Sequence, residues 1–259
     1  MKSKLLFTAI ILNIFVIAFS AYMLLSGIEK YRTADRVHTE LETHVHLHEP
    51  DDYVTASGPN QDEAAERYTV DDGIQWPQID FDALLAANPD TVGWLYSVDT
   101  PINYPIVQGQ DNEYYLTHLF DGTQNASGCL FLNAGNEADF TNTHSIIFGH
   151  HMKSGSMFSS ITRYRAQDYY EAHPQLLLMT PGGDYILRPF SGYDTDVDSD
   201  SWQLLFDDYA NWLQGIKSRS AFTADVTPAD SDPTITLSTC SYEFENARFV
   251  LHCMMTARK

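Results

Sequence analysis

Hydrophobic and polar positions divide the chain into three unequal stretches. Residues 5–25 carry no charge and are almost wholly apolar. Residues 26–75 are polar and acidic, with few apolar positions. From residue 76 onward, short runs rich in β-branched and aromatic residues alternate with turn residues, a pattern that predicts many short strands. The runs are 92–98, 102–107, 128–133, 145–149, 175–180, 185–193, 234–240 and 248–256. Turn signals such as Gly182-Gly183-Asp184 and Asp194-Thr195-Asp196 divide them. A short helix is predicted over residues 80–88, with Asp80 as its N-cap and Pro89 to end it. Helical spacing also covers 157–170 and 201–217, where Leu204, Leu205, Tyr209, Trp212, Leu213 and Ile216 share one side. Many strands with few helices point to a mainly β barrel or sandwich and away from a doubly wound sheet.

The apolar stretch from Leu5 to Leu25 would be about 31 Å long as a helix, enough to cross a bilayer core. A basic Met1-Lys2-Ser3-Lys4 precedes it. A cleaved signal peptide ending near Ala18-Phe19-Ser20 and an uncleaved anchor both fit. The apolar run continues to Leu25, which suits the anchor better. The expected organisation is a short cytoplasmic N-terminus (1–4), a single transmembrane anchor (5–25), an extracellular acidic stalk (26–75) and a catalytic domain (76–259). Within the stalk, His44, His46 and His48 alternate. They would converge on a metal only on a rigid strand, and the surrounding polar sequence favours a solvated segment, part of it helical near residues 29–41.

With 35 acidic against 15 basic residues, the formal net charge is −20. Such a surface repels phosphate backbones and excludes nucleic acid as a partner. Three cysteines leave at least one free thiol. Cys129 and Cys253 lie in strand-like runs and read as buried thiols rather than a disulfide. No zinc-type cysteine pair and no calcium loop appears, and no metal or cofactor is expected.

Cys240 stands apart from the other two. It ends the run Thr236-Leu237-Ser238-Thr239-Cys240, and Arg248 follows eight residues later in Ala247-Arg248-Phe249-Val250. Ile146-Ile147-Phe148-Gly149-His150-His151 lies upstream. A thiolate at a strand end, a cation to hold developing negative charge and an imidazole to move protons are the parts of an acyl transfer. A thiol is mostly protonated at neutral pH, and a nearby cation favours the reactive thiolate. Arginine remains charged throughout, and histidine titrates near working pH.

Several further segments join these in one order. They are Asn88-Pro89-Asp90-Thr91-Val92-Gly93-Trp94-Leu95, Ile102-Asn103-Tyr104-Pro105-Ile106-Val107-Gln108-Gly109, Asp111-Asn112-Glu113-Tyr114-Tyr115-Leu116 and Met152-Lys153-Ser154-Gly155-Ser156-Met157-Phe158. Over residues 88–257 the chain resembles the class B sortases, membrane-anchored cysteine transpeptidases. The resemblance implies an eight-stranded sortase-type β-barrel with an N-terminal helix and one long helix, over 201–217, before the seventh strand. It implies Cys240 as nucleophile, His150 as general acid/base and Arg248 as oxyanion or substrate clamp, with Asn112 and Leu116 lining the groove. His151 would face elsewhere, because adjacent strand residues alternate. Ser238 shares the face of Cys240 and could bond a peptide backbone. The implied partners are secreted proteins with a C-terminal sorting signal and an amine of a peptidoglycan precursor or a pilin. A papain-like protease and a non-enzymatic surface-binding β-domain are the alternatives. In the first the cysteine sits at a helix N-terminus early in the chain.

Overall fold

The computed structural model describes residues 2–47 and 75–258. Helix α1 runs unbroken over Lys2–Glu42, and strand β1 follows at Val45–Leu47. Strand β2 (Pro77–Ile79) pairs antiparallel with β1. Helix α2 spans Phe81–Ala87, and the Asp80 carboxylate accepts from the Ala83 amide as its N-cap. Strands β3 (Thr91–Tyr96), β4 (Asn103–Val107), β5 (Leu130–Leu132) and β6 (His144–Phe148) come next. Helix α3 (Gln167–Ala172) precedes β7 (Leu176–Thr180) and the long β8 (Gly183–Thr195). Helix α4 (Tyr209–Ser218), β9 (Thr234–Cys240) and β10 (Arg248–Ala257) complete the chain.

Strands β3 to β10 close into an eight-stranded barrel in the order β10-β8-β7-β3-β4-β5-β6-β9. All neighbours are antiparallel except β4 with β5 and β6 with β9. The barrel interior is filled from every strand, by residues such as Leu95, Ile106, Leu130, Ile147, Leu178, Leu187, Leu237 and Leu251. A second cluster lies outside the barrel, where Phe131, Trp94 and Leu177 meet Leu84 of α2 and Val37 and Leu41 of α1. A third packs α4, through Trp212, Leu213 and Ile216, onto Phe190, Val250 and Met254.

Three segments differ from expectation, each for a local reason. The segment after residue 26 is helical as far as Glu42, as expected near residues 29–41, but it docks on the barrel instead of standing solvated. Ala34, Val37 and Leu41, spaced at helical intervals, form an apolar stripe inside a polar run. Of the histidine trio, His44 and His46 fall in the described part, with His46 on β1, while His48 lies outside the described residues. No cluster able to hold a metal occurs among the described residues.

The helix expected over 157–170 is split. Phe158–Arg165 is a 3-10 helix, and α3 begins only after Ala166, which is extended. Phe158, Ile161 and Tyr164 are buried at intervals of three, the period of a 3-10 helix. The helix expected over 201–217 is confined to Tyr209–Ser218, because Asp208 caps it by accepting from the Asn211 amide. Leu205 then lies outside the helix and is 86% exposed.

Candidate active site

Strand alternation explains how the site is assembled. On β9, Ile235 and Leu237 enter the barrel interior. Thr234, Thr236, Ser238 and Cys240 therefore face outward. On β10, Phe249 and Leu251 point in, so Arg248, Val250, His252 and Met254 share that outer face. On β6, Ile147 points in, and His144, Ile146, Phe148 and His150 are outward by the same period of two.

Register then aligns these faces row by row. Arg248 pairs directly with Cys240, Val250 with Ser238, and His252 with Thr236. On the other side of β9, Phe148 pairs with Ser238 and Ile146 with Thr236. The parallel ladder continues as the Gly149 amide donates to the Ser238 carbonyl at 3.1 Å, which brings His150 level with Cys240. Arg248, Cys240 and His150 thus form one row across three adjacent strands, at the end of the barrel. All three are partly exposed, whereas Ser238 in the next row is 3% exposed.

The side-chain settings are specific. His150 Nε2 donates to the Leu116 carbonyl at 2.7 Å. Its Cδ2 lies against Gly128, where an added Cβ would come within 3.0 Å of that carbon and 2.5 Å of the Tyr115 carbonyl oxygen. Only glycine permits this approach, and Gly128 also has a positive φ of 59°. The Nδ1–Cε1 edge of the imidazole is left on the side away from this loop. Arg248 Nη1 donates to the Ala247 carbonyl at 3.1 Å, within the turn that joins β9 to β10. Leu116 meets the site through its backbone, and its side chain is exposed. Asn112 is exposed and ties the same loop to the β5–β6 connection by accepting from the Ala134 amide at 2.8 Å.

Ser238 does share the face of Cys240, but its hydroxyl accepts from the Trp202 indole at 3.1 Å. Trp202, from the segment before α4, roofs the row beneath the cysteine; its distance in sequence left no local signal. His151 contacts the backbone beside the row and not its side chains. Its Nδ1 donates to the Cys240 carbonyl at 3.0 Å, and its ring lies 5.2 Å from that of Tyr242. Thr239, pointing inward, donates to the Gly149 carbonyl at 2.7 Å and ties β9 to the chain just before His150.

Beneath the exposed row runs a buried polar chain. His144 and His252 both bond Thr236 Oγ1, at 2.7 and 2.6 Å. His252 Nε2 reaches Tyr193 Oη at 3.2 Å, and that hydroxyl bonds Ser201 at 2.8 Å. His144 Nδ1 donates to the Gln203 carbonyl at 2.7 Å. Burial pushes the pKa of His144 down to about 4, although its bond to Gln203 acts the other way. Burial, with help from His144 and Arg219, also drives His252 well below its usual value. Both rings are neutral and structural at working pH. The other two thiols are equally inert: Cys129 and Cys253 are free and buried, and burial raises Cys129 to about 12 and Cys253 beyond that.

A half-exposed thiol at a strand end, paired across the ladder with an arginine and level with an imidazole, is equipped for acyl transfer through a thioester. No family model matches the chain. It is 37% identical over 169 residues to a sortase B of Listeria monocytogenes, covering 63% of this chain and 69% of the relative. It is 33% identical over 163 residues to a sortase B of Staphylococcus aureus, covering 62% and 67%. Among solved structures, a Staphylococcus aureus sortase B–substrate complex superposes with a TM-score of 0.66 at 30% identity, over 69% of this chain and 85% of the other.

Proposed function

The chain belongs to the class B sortases, and on that premise we propose that Cys240 is the nucleophile, His150 the general acid/base and Arg248 the clamp on developing negative charge. The enzyme is a cysteine transpeptidase that acts on proteins bearing a sorting motif. The observation that carries the residue assignment is the single row Arg248–Cys240–His150 on one outward face.

The Cys240 thiolate attacks the carbonyl carbon of the scissile peptide bond, and the electron pair of the carbonyl moves onto oxygen. Arg248 holds that oxyanion, its charge unchanged by any proton transfer. His150 gives a proton to the departing amine, the carbon–nitrogen bond breaks, and a thioester remains on Cys240. With Nε2 donating to the Leu116 carbonyl, the exchangeable proton is the one on Nδ1. An amine acceptor then attacks the thioester and loses its proton to His150. Collapse expels the Cys240 thiolate and leaves a new amide. Asn112 and Leu116, on the loop beside His150, line the approach of the sorting peptide. Ser238 acts through Trp202, as part of the floor under the cysteine. The acceptor is a peptidoglycan cross-bridge or pilin amine.

An apolar N-terminal helix fits a membrane anchor. We read it as a single span over residues 5–25, with residues 1–4 in the cytoplasm. Residues 26–75 connect it to an extracellular catalytic domain of residues 76–259. A papain-like protease is not favoured: the relatives are sortases, and the cysteine ends a late strand.

The test is to incubate the full chain, in detergent micelles, with a peptide library and an amine acceptor, and to read ligated products by mass spectrometry. Wild type yields ligated product, and Cys240→Ala loses roughly 10⁴-fold or more of the rate. Ligation that survives in Cys240→Ala would overturn the assignment.

A further inference from the structure

The inward side of the catalytic row has its own apparatus, which the acyl-transfer steps do not use. Ser241 follows Cys240 and is 6% exposed. Its hydroxyl donates to Asp194 Oδ1 at 2.5 Å and accepts from Arg165 Nη2 at 2.9 Å. Arg165 also forks onto Asp194, Nε to Oδ2 and Nη2 to Oδ1, both at 2.6 Å. Its guanidinium sits 5.0 Å from the centre of the Phe249 ring, and Phe249 follows Arg248. One guanidinium therefore touches the residue beside the nucleophile and the residue beside the clamp arginine.

The three components come from separate parts of the chain. Asp194 lies on β8, opposite Phe249 of β10. Arg165 ends the 3-10 helix whose first residue, Phe158, donates its amide to the His150 carbonyl at 3.0 Å. Ser241 opens the turn between β9 and β10, where its amide donates to the Ala247 carbonyl at 2.9 Å. Residues 242–246 of that turn face solvent, with Tyr242 69% and Phe244 48% exposed. Glu243 of the turn adds a second carboxylate 3.6 Å from Arg165. The β9–β10 ladder sets the register, and the inward tie braces its last pair, Arg248–Cys240, against movement of this exposed turn. A bidentate arginine–carboxylate pair is the geometry that fixes both distance and angle.

We propose that Ser241, Asp194 and Arg165 form a positioning clamp that holds the Cys240–Arg248 pair in register from the inward face of the barrel. The proposal rests on the catalytic assignment above. None of the three has a part in the acyl-transfer steps proposed above. The clamp sets where the thiol and the guanidinium stand relative to each other, and displacement by about 1 Å costs as much as 100-fold in rate.

The experiment alkylates the full chain in detergent with iodoacetamide across pH and follows Cys240 by mass spectrometry. The buried Cys129 and Cys253 stay silent, and no knowledge of the sorting motif is needed. Ser241→Ala is expected to slow alkylation at neutral pH about 10-fold and to displace the pH profile toward alkaline values, with little change in melting temperature. Ser241→Thr, which keeps the hydroxyl, restores the wild-type profile. Arg165→Lys, which keeps charge but loses the fork, behaves like Ser241→Ala. Profiles of Ser241→Ala and Arg165→Lys that superpose on wild type would overturn the clamp. The catalytic assignment stands or falls separately, on ligation by Cys240→Ala.

Discussion

His150 and His144 lie on one stretch of chain, on one face, six residues apart, and their surroundings have little in common. His150 stands at the barrel end, partly exposed, its ring held by a carbonyl and a glycine. His144 is fully buried between Thr236 and the Gln203 carbonyl, under Trp212 and Phe206. The cysteines repeat the contrast, since Cys240 ends β9 partly exposed whereas Cys253 is sealed inside the barrel. Residue type therefore does not separate the groups proposed as reactive from the structural ones in this molecule. Position along the chain does: Cys240 at the end of β9 and His150 two residues past β6 leave the packed layers, and His144 three rows lower fastens the segment before α4.

The largest expected effect is on the histidine pair. His150→Gln should lower the rate of ligation by roughly 10²- to 10⁴-fold with the fold intact. His144→Gln should leave the rate per folded molecule near wild type while costing about 2 kcal/mol of stability, as a buried network loses a member. Calorimetry beside the ligation assay separates the two, and a folded His144→Gln protein without activity would break the contrast. Acid sharpens it further. Burial holds the folded pKa of His144 at about 4, against an unfolded value near 6.5, so between those values the unfolded chain binds more protons. Stability from this source is complete above about pH 6.5 and is lost as pH falls toward 4, amounting to about 3 kcal/mol. His252 acts in the same direction. Thermal melts of wild type and His144→Gln across this range should converge on the acid side. The smallest effect concerns the sulfurs: Cys253→Ala should leave Cys240 alkylation and ligation unchanged and cost about 1 kcal/mol. A slower Cys240 in that variant would mean that the interior thiol is not merely packing.

Much of this was legible in the chain. The eight barrel strands could be read from β-branched runs between turn residues, and Cys240, Arg248 and His150 from strand ends and motifs in sequence. Trp202 over Ser238 could not, because a roof contributed by a segment 36 residues away leaves no periodic trace in either strand. The His144–Thr236–His252 chain was hidden for a related reason. Each member is unremarked in its own strand, and only the register of three strands brings them together. A helix near residues 29–41 could be read, but its docking on the barrel could not, because Ala34, Val37 and Leu41 are three apolar positions among polar ones. The shortened α4 was signalled by Asp208, whose capping role competes with an apolar spacing that runs on either side of it.

The continuity of α1 has one more consequence. The apolar stretch and the stripe that grips the barrel belong to a single rod, with no slack between them. From Leu25 to Val37 the rod rises roughly 18 Å. With the apolar stretch in the bilayer, as proposed, the enzyme is mounted on a post rather than a leash. Its altitude and compass bearing above the lipid are then set by helical arithmetic, and adding or deleting a single residue would turn the barrel by about 100°.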